Sequence, residues 1–492
     1  MTDESGSIEE AVPQQREEPK NWVKARDDHE PVGVDSVLTP GKFTLHGGDE
    51  ASWVKPGAEF GFKELRTHIE PWLTALFQSE HLSLLVGSGL TQAVHRIAKN
   101  EGVAGMSGDI STGQLRDIIN AAAKKSAEDA KRKTCNIEDR IRVANELLRG
   151  FEILGSTFET INLSTHAAQL RTDLTTAMRE FAGQILTSEF GIVTATNYEE
   201  ETRRERAFSA IITFLMSFAS RTGTRDRLHI FTTNYDRVIE AGSELAGLHL
   251  LDRFVGTLMP IFRSSRLDLD MHYNPPGIRG EPRYLEGVAR FTKLHGSVDW
   301  VYTGDAIRRD IRRIGLPFGA DSVDAYLKVP GLIGVDASRL MIYPNAAKDR
   351  ETAEYPYVEL FRDFAAAICR PNSTVVTYGY GFGDEHINRI IEDMLTIPST
   401  HLVVISWDDA YERILPLVRT HHAQTTLLLG QDLANLGTLT EHFLPKPAID
   451  RTTYRMTELL RHRYGSSIQS DQGDDDKNRK NPSMDAHNAD PF

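Results

Sequence analysis

The stretch His81-Leu-Ser-Leu-Leu-Val-Gly-Ser-Gly-Leu90 places a short apolar run directly before a Gly-x-Gly turn. An apolar run of this length that ends in glycines is typical of a buried strand whose chain then turns into a helix. Strand patterns recur at Arg227–Asp236, Phe291–Gly296, Leu340–Tyr343, Ser373–Gly379 and Thr400–Ser406. Helical patterns follow several of these strands, so the sequence predicts an α/β fold with a parallel sheet flanked by helices.

The chain divides into segments of different composition. Residues 1–55 are polar and show no sustained period, which predicts a mostly disordered N-terminal arm, with docking of Phe43–Leu45 and Trp53–Val54 on the folded body as the alternative. Residues 56–465 carry the strand and helix patterns and are predicted to form the folded domain. Within that domain, residues 110–224 are rich in helix formers, which predicts an inserted helical module. Residues 466–492 are acidic and nearly free of apolar side chains, which predicts a disordered tail.

Four helices are predicted inside the inserted module: Gly113–Lys133, Asn136–Leu148, Thr172–Leu186 and Arg204–Ala219. The second begins with Asn136 and Asp139, which are spaced as a reciprocal capping pair.

Composition excludes several classes of protein. The 492 residues contain 70 acidic and 56 basic side chains, and this net charge of -14 argues against a broad electrostatic surface for DNA or anionic lipid. The only two cysteines, Cys135 and Cys369, cannot form a disulfide framework or a four-cysteine zinc site. The sequence contains neither a secretory signal nor an apolar run of membrane-spanning length. It therefore predicts a cytoplasmic protein without a membrane segment or a nucleic-acid module.

The glycine turn Gly87-Ser88-Gly89-Leu90-Thr91 follows a predicted strand and precedes a helix. In this position glycines let the backbone approach a pyrophosphate, whose charge is favoured at a helix N-terminus. The motif lacks the last glycine of the dinucleotide fingerprint and the Lys-Ser/Thr pair of a P-loop. A plain tight turn is therefore the alternative interpretation.

Two further motifs place polar side chains at strand ends. Thr233, Asn234 and Asp236 end an apolar strand, with the amide and the carboxylate two residues apart on one side of the chain. A helix N-cap is the alternative role for Asn234 and Asp236. His295 lies beside a glycine after another strand and is suited to proton transfer or to binding a sugar hydroxyl, although a lone histidine is more often structural.

The loop Tyr378-Gly379-Tyr380-Gly381-Phe382-Gly383-Asp384 follows a later strand and alternates glycines with aromatic residues. It is predicted to bind phosphate or ribose, or simply to turn the chain. No His-Glu-x-x-His motif or Cys/His group with ligand spacing occurs in the sequence, so no metal site is predicted.

Taken in order, these four motifs resemble those of the sirtuin domain, and their variants look like the sirtuin-like domain of bacterial antiphage defence proteins. The resemblance covers about residues 80–110 and 225–410. It implies a Rossmann-like sheet that binds NAD+ as a substrate. By position, it assigns Gly87, Ser88, Gly89 and Thr91 to the pyrophosphate, Thr233, Asn234 and Asp236 to the nicotinamide ribose and carboxamide, His295 to the ribose hydroxyls, and Gly379 and Tyr380 to the adenosine half.

The same resemblance implies a function, with catalytic roles for Asn234, Asp236 and His295. Sirtuin deacylases carry a four-cysteine zinc module and a Pro-Asp-Phe-Arg stretch after the glycine loop; this chain has neither, and Gln92-Ala-Val-His-Arg96 follows its loop. The expected activity is therefore NAD+ glycohydrolysis that depletes cellular NAD+ in antiphage defence. The alternatives are a nucleotide sensor without turnover and a protein deacylase.

Partners are implied only by the resemblance. It implies a homo-oligomer and, in some relatives, a separately encoded HerA-type ATPase or an Argonaute-like protein.

Overall fold

The computed structural model describes residues 18–25, 28–47, 49–55, 57–103, 110, 115–129, 132, 134–155, 163–221, 225–264, 270–273, 283–303, 310–320 and 355–446. The predicted strand Leu340–Tyr343 and the predicted tail 466–492 lie outside the described residues.

The strands, numbered along the chain, are β1 Asn21–Lys24, β2 Val32–Ser36, β3 Lys42–Leu45, β4 Phe60–Gly61, β5 His81–Val86, β6 His229–Thr232, β7 His249–Leu251, β8 Phe254–Val255, β9 Ile261–Phe262, β10 His272–Tyr273, β11 Arg283–Tyr284, β12 Val288–Lys293, β13 Trp300–Thr303, β14 Asp310–Arg313, β15 Ser373–Tyr378, β16 His401–Ser406 and β17 Thr425–Gly430.

The main helices are α1 Phe62–Phe77, α2 Gly89–Lys99, α3 Arg116–Asp129, α4 Ile137–Gly155, α5 Leu163–Val193, α6 Tyr198–Ala219, α7 Val238–Leu245, α8 Tyr357–Ile368, α9 Glu385–Leu395 and α10 Ile414–Thr420. Short helical turns follow at His422–Gln424, Leu436–Thr438 and Leu439–Phe443.

One sheet organises the described part of the chain, with the strand order β4-β3-β2-β1-β17-β16-β15-β5-β6-β12-β7. The seven strands from β17 to β7 are parallel, which confirms the predicted α/β class. Numbered by their order in the chain, β12-β6-β5-β15-β16-β17 follow the 3-2-1-4-5-6 arrangement of the Rossmann fold. The order reverses between β5 and β15, and ligands bind outside the carboxyl ends of the strands at such a point.

Alternation along the central strands gives the sheet two buried faces. Leu84 and Val86 of β5 belong to a core shared with α1, α2, α6 and α7. Leu85, between them, belongs to a second core shared with α8, α9 and α10. Successive strand side chains point to opposite faces, so a run that is apolar at every position requires helices on both sides.

The segment 110–224, predicted as one helical module, contributes its helices to two different hydrophobic cores. Helix α6 packs on the sheet, where Ile211, Phe214 and Phe218 are fully buried in the first core. Helices α3, α4 and α5 instead share a third core, which also takes in Tyr235 and Val298 from the loops that follow β6 and β12. Of these helices, α4 and α5 contact the loop after β6 directly, through Glu138 and Phe181 against Tyr235.

The N-terminal region differs from the prediction. Residues 1–55 were expected to be mostly disordered, but β1, β2 and β3 extend the main sheet by antiparallel pairing. The alternative is confirmed for Phe43–Leu45, which lies in β3, and for Trp53 and Val54, which pack against the first core. Strand β1 pairs with β17 along its whole length, from Asn21 opposite Gly430 to Lys24 opposite Leu427. Strands of four or five residues are too short to show a hydrophobic period in the sequence. Their position is set instead by the edge of β17, whose backbone groups pair with β1.

A smaller antiparallel sheet, β13-β14-β9-β8, lies in the chain between β7 and α8, and β10 pairs with β11. Strand β17, which no sequence pattern predicted, is buried at every position and completes the six-strand arrangement.

The capping pair predicted at the start of α4 is confirmed. The Asn136 amide N–H donates to Asp139 Oδ2 at 3.0 Å, and the Asp139 N–H donates to Asn136 Oδ1 at 2.9 Å. These bonds satisfy two amides that a helix N-terminus otherwise leaves without partners.

We expect Asn136→Ala to lower the free energy of unfolding by about 1 kcal/mol, because alanine cannot accept the Asp139 amide. Asn136→Ser should restore most of the loss, since a serine hydroxyl also caps. Urea unfolding followed by circular dichroism measures both variants. Equal midpoints for wild type and Asn136→Ala would contradict the assigned cap.

Candidate active site

Strand register brings the four sequence motifs to one edge of the sheet. Val86 of β5 is the partner of Thr232 in β6 and of Tyr378 in β15, and Thr232 is also the partner of Lys293 in β12. The motifs begin at the next residue of each strand, so all four leave the sheet at the same level. Residues separated by up to 292 positions in the chain, from Gly87 to Gly379, are thereby brought together.

The two glycine loops pack backbone against backbone. The Gly89 N–H donates to the Gly379 oxygen at 3.0 Å, and the Gly87 N–H donates to the Tyr378 oxygen at 3.0 Å. A Cβ on Gly379 would lie 2.6 Å from the Gly89 Cα, and a Cβ on Gly87 would collide with the Gly379 oxygen. Glycine is required here by close approach, and at Gly379 also by its φ of 60°. The Gly89 N–H, at the start of α2, is therefore engaged in the hydrogen bond that joins the two loops.

Three of the predicted site residues form a connected polar cluster. The Thr91 hydroxyl donates to Asp236 Oδ2 at 2.7 Å, and Asn234 Nδ2 donates to Thr91 Oγ1 at 3.1 Å and to the Gly87 oxygen at 3.0 Å. Asn234 is buried, and its backbone N–H is held by Thr232 Oγ1 at 3.0 Å. The adjacent Thr233 N–H donates to the Val86 oxygen at 3.2 Å. These contacts join the end of β6 to the glycine turn after β5.

His295 lies at the end of β12, two residues beyond Lys293, as Asn234 lies two residues beyond Thr232. Its Nε2 is 3.0 Å from Asp384 Oδ2, and its ring centroid is 6.4 Å from that of Tyr235. Both side chains are mostly buried, with 16% of His295 and 12% of Asp384 exposed. Asp384 ends the loop quoted from the sequence, but its contact with His295 could not be predicted from spacing.

The predicted binding residues Tyr380 and Ser88 differ in their exposure to solvent. The Tyr380 side chain is buried in the second core, and its hydroxyl donates to Asn388 Oδ1 at 2.9 Å. Burial raises the pKa of Tyr380 well above its usual value, so the phenol is a neutral structural group. Ser88, in contrast, is exposed at the glycine turn. A ligand could meet Tyr380 only through its backbone, whereas it could meet Ser88 through the side chain.

Residues of the β6 loop alternate between the site and the inserted helices. Asn234 and Asp236 point to the polar cluster, whereas the Tyr235 hydroxyl donates to Glu138 of α4 at 3.1 Å. Arg237 binds Glu189 of α5 through its backbone N–H at 2.7 Å and through its guanidinium. Sequence reasoning missed both glutamates, because helices that precede the strand supply them. The inserted helices therefore hold this loop on either side of Asp236.

The Arg237–Glu189 pair is buried, with the Glu189 carboxylate fully out of solvent. Burial raises the pKa of Glu189, while hydrogen bonds and the charge of Arg237 oppose that shift. The carboxylate is thus stable in this position only with the guanidinium beside it.

Lys293 ties the same loop to α7. Its Nζ donates to Glu240 Oε1 at 2.9 Å and to the Tyr235 oxygen at 3.4 Å, and it also binds the Asp236 oxygen. Burial raises the pKa of Glu240 to about 6, although the Lys293 charge acts in the opposite direction. Lys293 lies in the predicted strand Phe291–Gly296 and had no predicted role, and the structure identifies it as a backbone anchor for the loop.

Within the described ranges, no group of three or more His, Cys, Asp or Glu side chains is placed to hold a metal ion. Among the helices of those ranges, none is both long and apolar enough to cross a bilayer.

Residues 228–425 match the family model described as SIR2-like domain. The match begins just before β6 and ends at the first residue of β17, so it contains Asn234, Asp236, His295, Gly379 and Tyr380. The glycine turn after β5 precedes it and is joined to it by the contacts described above. No curated protein matches this chain.

We expect Gly379→Ala to destabilise the protein by about 2 kcal/mol or more, because a side chain at positive φ is strained and its Cβ would meet the Gly89 backbone. Gly381→Ala is the matched control, since nothing lies within 4 Å of its Cβ. Chemical unfolding measures both, and equal losses in the two variants would contradict the packing of the loops.

A second prediction concerns the anchor on α5. Glu189→Gln leaves the buried Arg237 charge without its counter-ion and should cost about 3 kcal/mol of unfolding free energy. Glu70→Gln breaks the more exposed pair with Arg66 and should cost less than about 1 kcal/mol. Thermal and urea unfolding compare the two variants, and a Glu189→Gln loss no larger than that of Glu70→Gln would refute the anchor.

Proposed function

We propose, from the SIR2-like domain that this chain carries, that the protein is an NAD+ glycohydrolase. A SIR2-like domain points to an NAD-utilising enzyme. In the proposed reaction water replaces nicotinamide at the anomeric carbon of the ribose. The products are ADP-ribose, nicotinamide and one proton.

The observation that carries this proposal is the common level at which Asn234 and His295 follow the adjacent strands β6 and β12, with Asp236 two residues after Asn234 in the same loop. They lie at the carboxyl edge of a sheet with Rossmann strand order. Asn234 contacts the Gly87 turn after β5 and His295 contacts Asp384 after β15, the two strands between which that order reverses. This is the position in which such sheets bind dinucleotides. An amide, a carboxylate and an imidazole are suited to a reaction that develops positive charge on a sugar.

The amide and the carboxylate are held in place before any ligand arrives. Asn234 uses its Nδ2 in bonds to Thr91 and to the Gly87 oxygen, so its amide oxygen is the group that would orient water or a ribose hydroxyl. Asp236 accepts from Thr91 and from the Val238 N–H at 3.1 Å, and would hold the nicotinamide carboxamide with a remaining lone pair. Oriented dipoles in a buried position stabilise developing charge without reorganising.

His295 would take up the released proton. The electron pair of the broken bond leaves with nicotinamide, and the water oxygen forms the new bond to the anomeric carbon. The proton lost by this water passes through the ribose hydroxyls to the imidazole, a transfer that contributes on the order of 100-fold or more in comparable enzymes. From there the proton returns to solvent.

Hydrolysis is favoured over protein deacylation by the cysteine content. The four-cysteine zinc module of the deacylases cannot be built from two cysteines. The motif variants support a role in antiphage defence, in which NAD+ depletion would halt the infected cell. Assembly into a homo-oligomer, and control by a separately encoded ATPase or other defence protein, belong to the same proposal.

We expect the purified protein to release nicotinamide from NAD+, and Asn234→Ala and His295→Ala each to lower kcat by about 100-fold or more. Each substitution removes a group proposed to orient water or to accept the proton. His249→Ala, at an exposed histidine of β7, is the control and should keep wild-type turnover. Chromatography of the reaction products measures all four proteins, and unchanged turnover in either site variant would overturn the assignment.

The same experiment separates the alternatives when it is paired with calorimetry. NAD+ binding without nicotinamide release, with or without a candidate activating protein, would replace the enzyme by a nucleotide sensor. Nicotinamide release that requires an acyl-lysine peptide would instead establish a deacylase.

A further inference from the structure

The contact between His295 and Asp384 joins two elements that the sequence keeps 89 residues apart. His295 follows β12, whereas Asp384 ends the loop after β15 and precedes α9. The Nε2 to Oδ2 distance is 3.0 Å, and both side chains are more than four-fifths buried. Only one of the two imidazole nitrogens is engaged in this contact.

Asp384 is fixed independently of the histidine. Its Oδ1 accepts the backbone N–H groups of His386 at 2.9 Å and of Ile387 at 3.3 Å, as the N-cap of α9. Its backbone oxygen accepts the Tyr380 hydroxyl at 3.3 Å. The helix N-terminus favours a negative charge in this position. One carboxylate oxygen therefore serves the helix, and the other is directed at His295.

This arrangement determines which nitrogen of His295 is basic. An ionised carboxylate can only accept, so the Nε2 that faces it carries a hydrogen and donates. The lone pair of the neutral ring is then on Nδ1. A carboxylate in this relation to a histidine fixes the tautomer and stabilises the imidazolium that forms when the other nitrogen takes up a proton.

We propose that Asp384 is a positioning residue, which acts through His295 to keep Nδ1 as the nitrogen that accepts the reaction proton. The inference rests on the proposed function for the identity of the reaction. In the step it serves, the O–H bond of a hydroxyl in the ribose network breaks and an N–H bond forms at Nδ1. The Asp384 carboxylate stays ionised and compensates the charge of the imidazolium.

A purely structural role for Asp384 as a helix cap makes different predictions, because its two oxygens act separately. Asp384→Asn keeps an oxygen for the cap but places an amide donor against Nε2, which opposes the required tautomer. Asp384→Ser keeps a capping hydroxyl and removes the carboxylate. Glu385→Gln is the matched control, since it removes one exposed charge from the adjacent position of the same helix.

The test measures nicotinamide release, NAD+ affinity and unfolding for the full chain. We expect Asp384→Asn and Asp384→Ser to lose about 100-fold or more in kcat while NAD+ affinity and the unfolding midpoint stay close to wild type. Glu385→Gln should match wild type in all three. In the Asp384→Asn/His295→Ala double variant the losses should not add, because Asp384 acts only through the histidine. Wild-type kcat in both capped Asp384 variants, or additive losses, would overturn the proposal.

A second readout does not depend on turnover. Imidazole ¹⁵N chemical shifts, with the His295 signals identified by their loss in His295→Ala, report which ring nitrogen carries hydrogen. We expect Nε2–H in the wild type and a shift toward Nδ1–H in Asp384→Asn. The same tautomer in both proteins would refute the role of Asp384. Failure of the wild type to release nicotinamide, with the tautomer change present, would refute the glycohydrolase and not the control of His295 by Asp384.

Discussion

The common register of β15, β5, β6 and β12 is the constraint on which the rest of the candidate site depends. Val86, Thr232, Lys293 and Tyr378 lie at one level, so the next residues of all four strands leave the sheet together. A slip of one residue in any pair would reverse the faces of that strand and bury the wrong side chains. The apolar alternation that stabilises the two cores therefore also aligns Asn234 with His295, and Gly87 with Gly379.

Contacts between the loops that follow β5, β6 and β15 then fix the positions of the aligned residues relative to one another. The glycines of the β5 and β15 loops approach too closely for side chains, which brings the end of β15 against the start of α2. Thr91, on α2, binds both Asn234 and Asp236. Because Tyr235 and Arg237 are held by α4 and α5, the loop that carries the candidate chemistry is shared between the sheet and the inserted helices. A displacement of those helices would therefore move the backbone on either side of Asp236.

Sequence reasoning succeeded where the signal is local. The run before Gly87, the capping pair Asn136 and Asp139, and the helix predicted over Arg204–Ala219 are specified by neighbours within a few residues, and the structure confirms them. It failed where a strand is short or takes its place from a partner. Strand β1 pairs with β17, more than 400 residues away, and neither strand was predicted. The same limit hid Glu138, Glu189 and Asp384, whose partners lie 48 to 97 residues distant.

The sequence by itself determined the α/β class, the order of the motifs and the kinds of groups available for chemistry, because strand periodicity, glycine turns and polar strand ends are properties of adjacent residues. Only the tertiary structure decided which of those groups meet. It placed the Tyr380 phenol in a core and brought Asp384 into contact with His295. It also bound Tyr235 and Arg237, on either side of Asp236, to the inserted helices. Such pairings follow from strand order and helix packing, which arise from contacts between distant parts of the chain and leave no signal in local spacing.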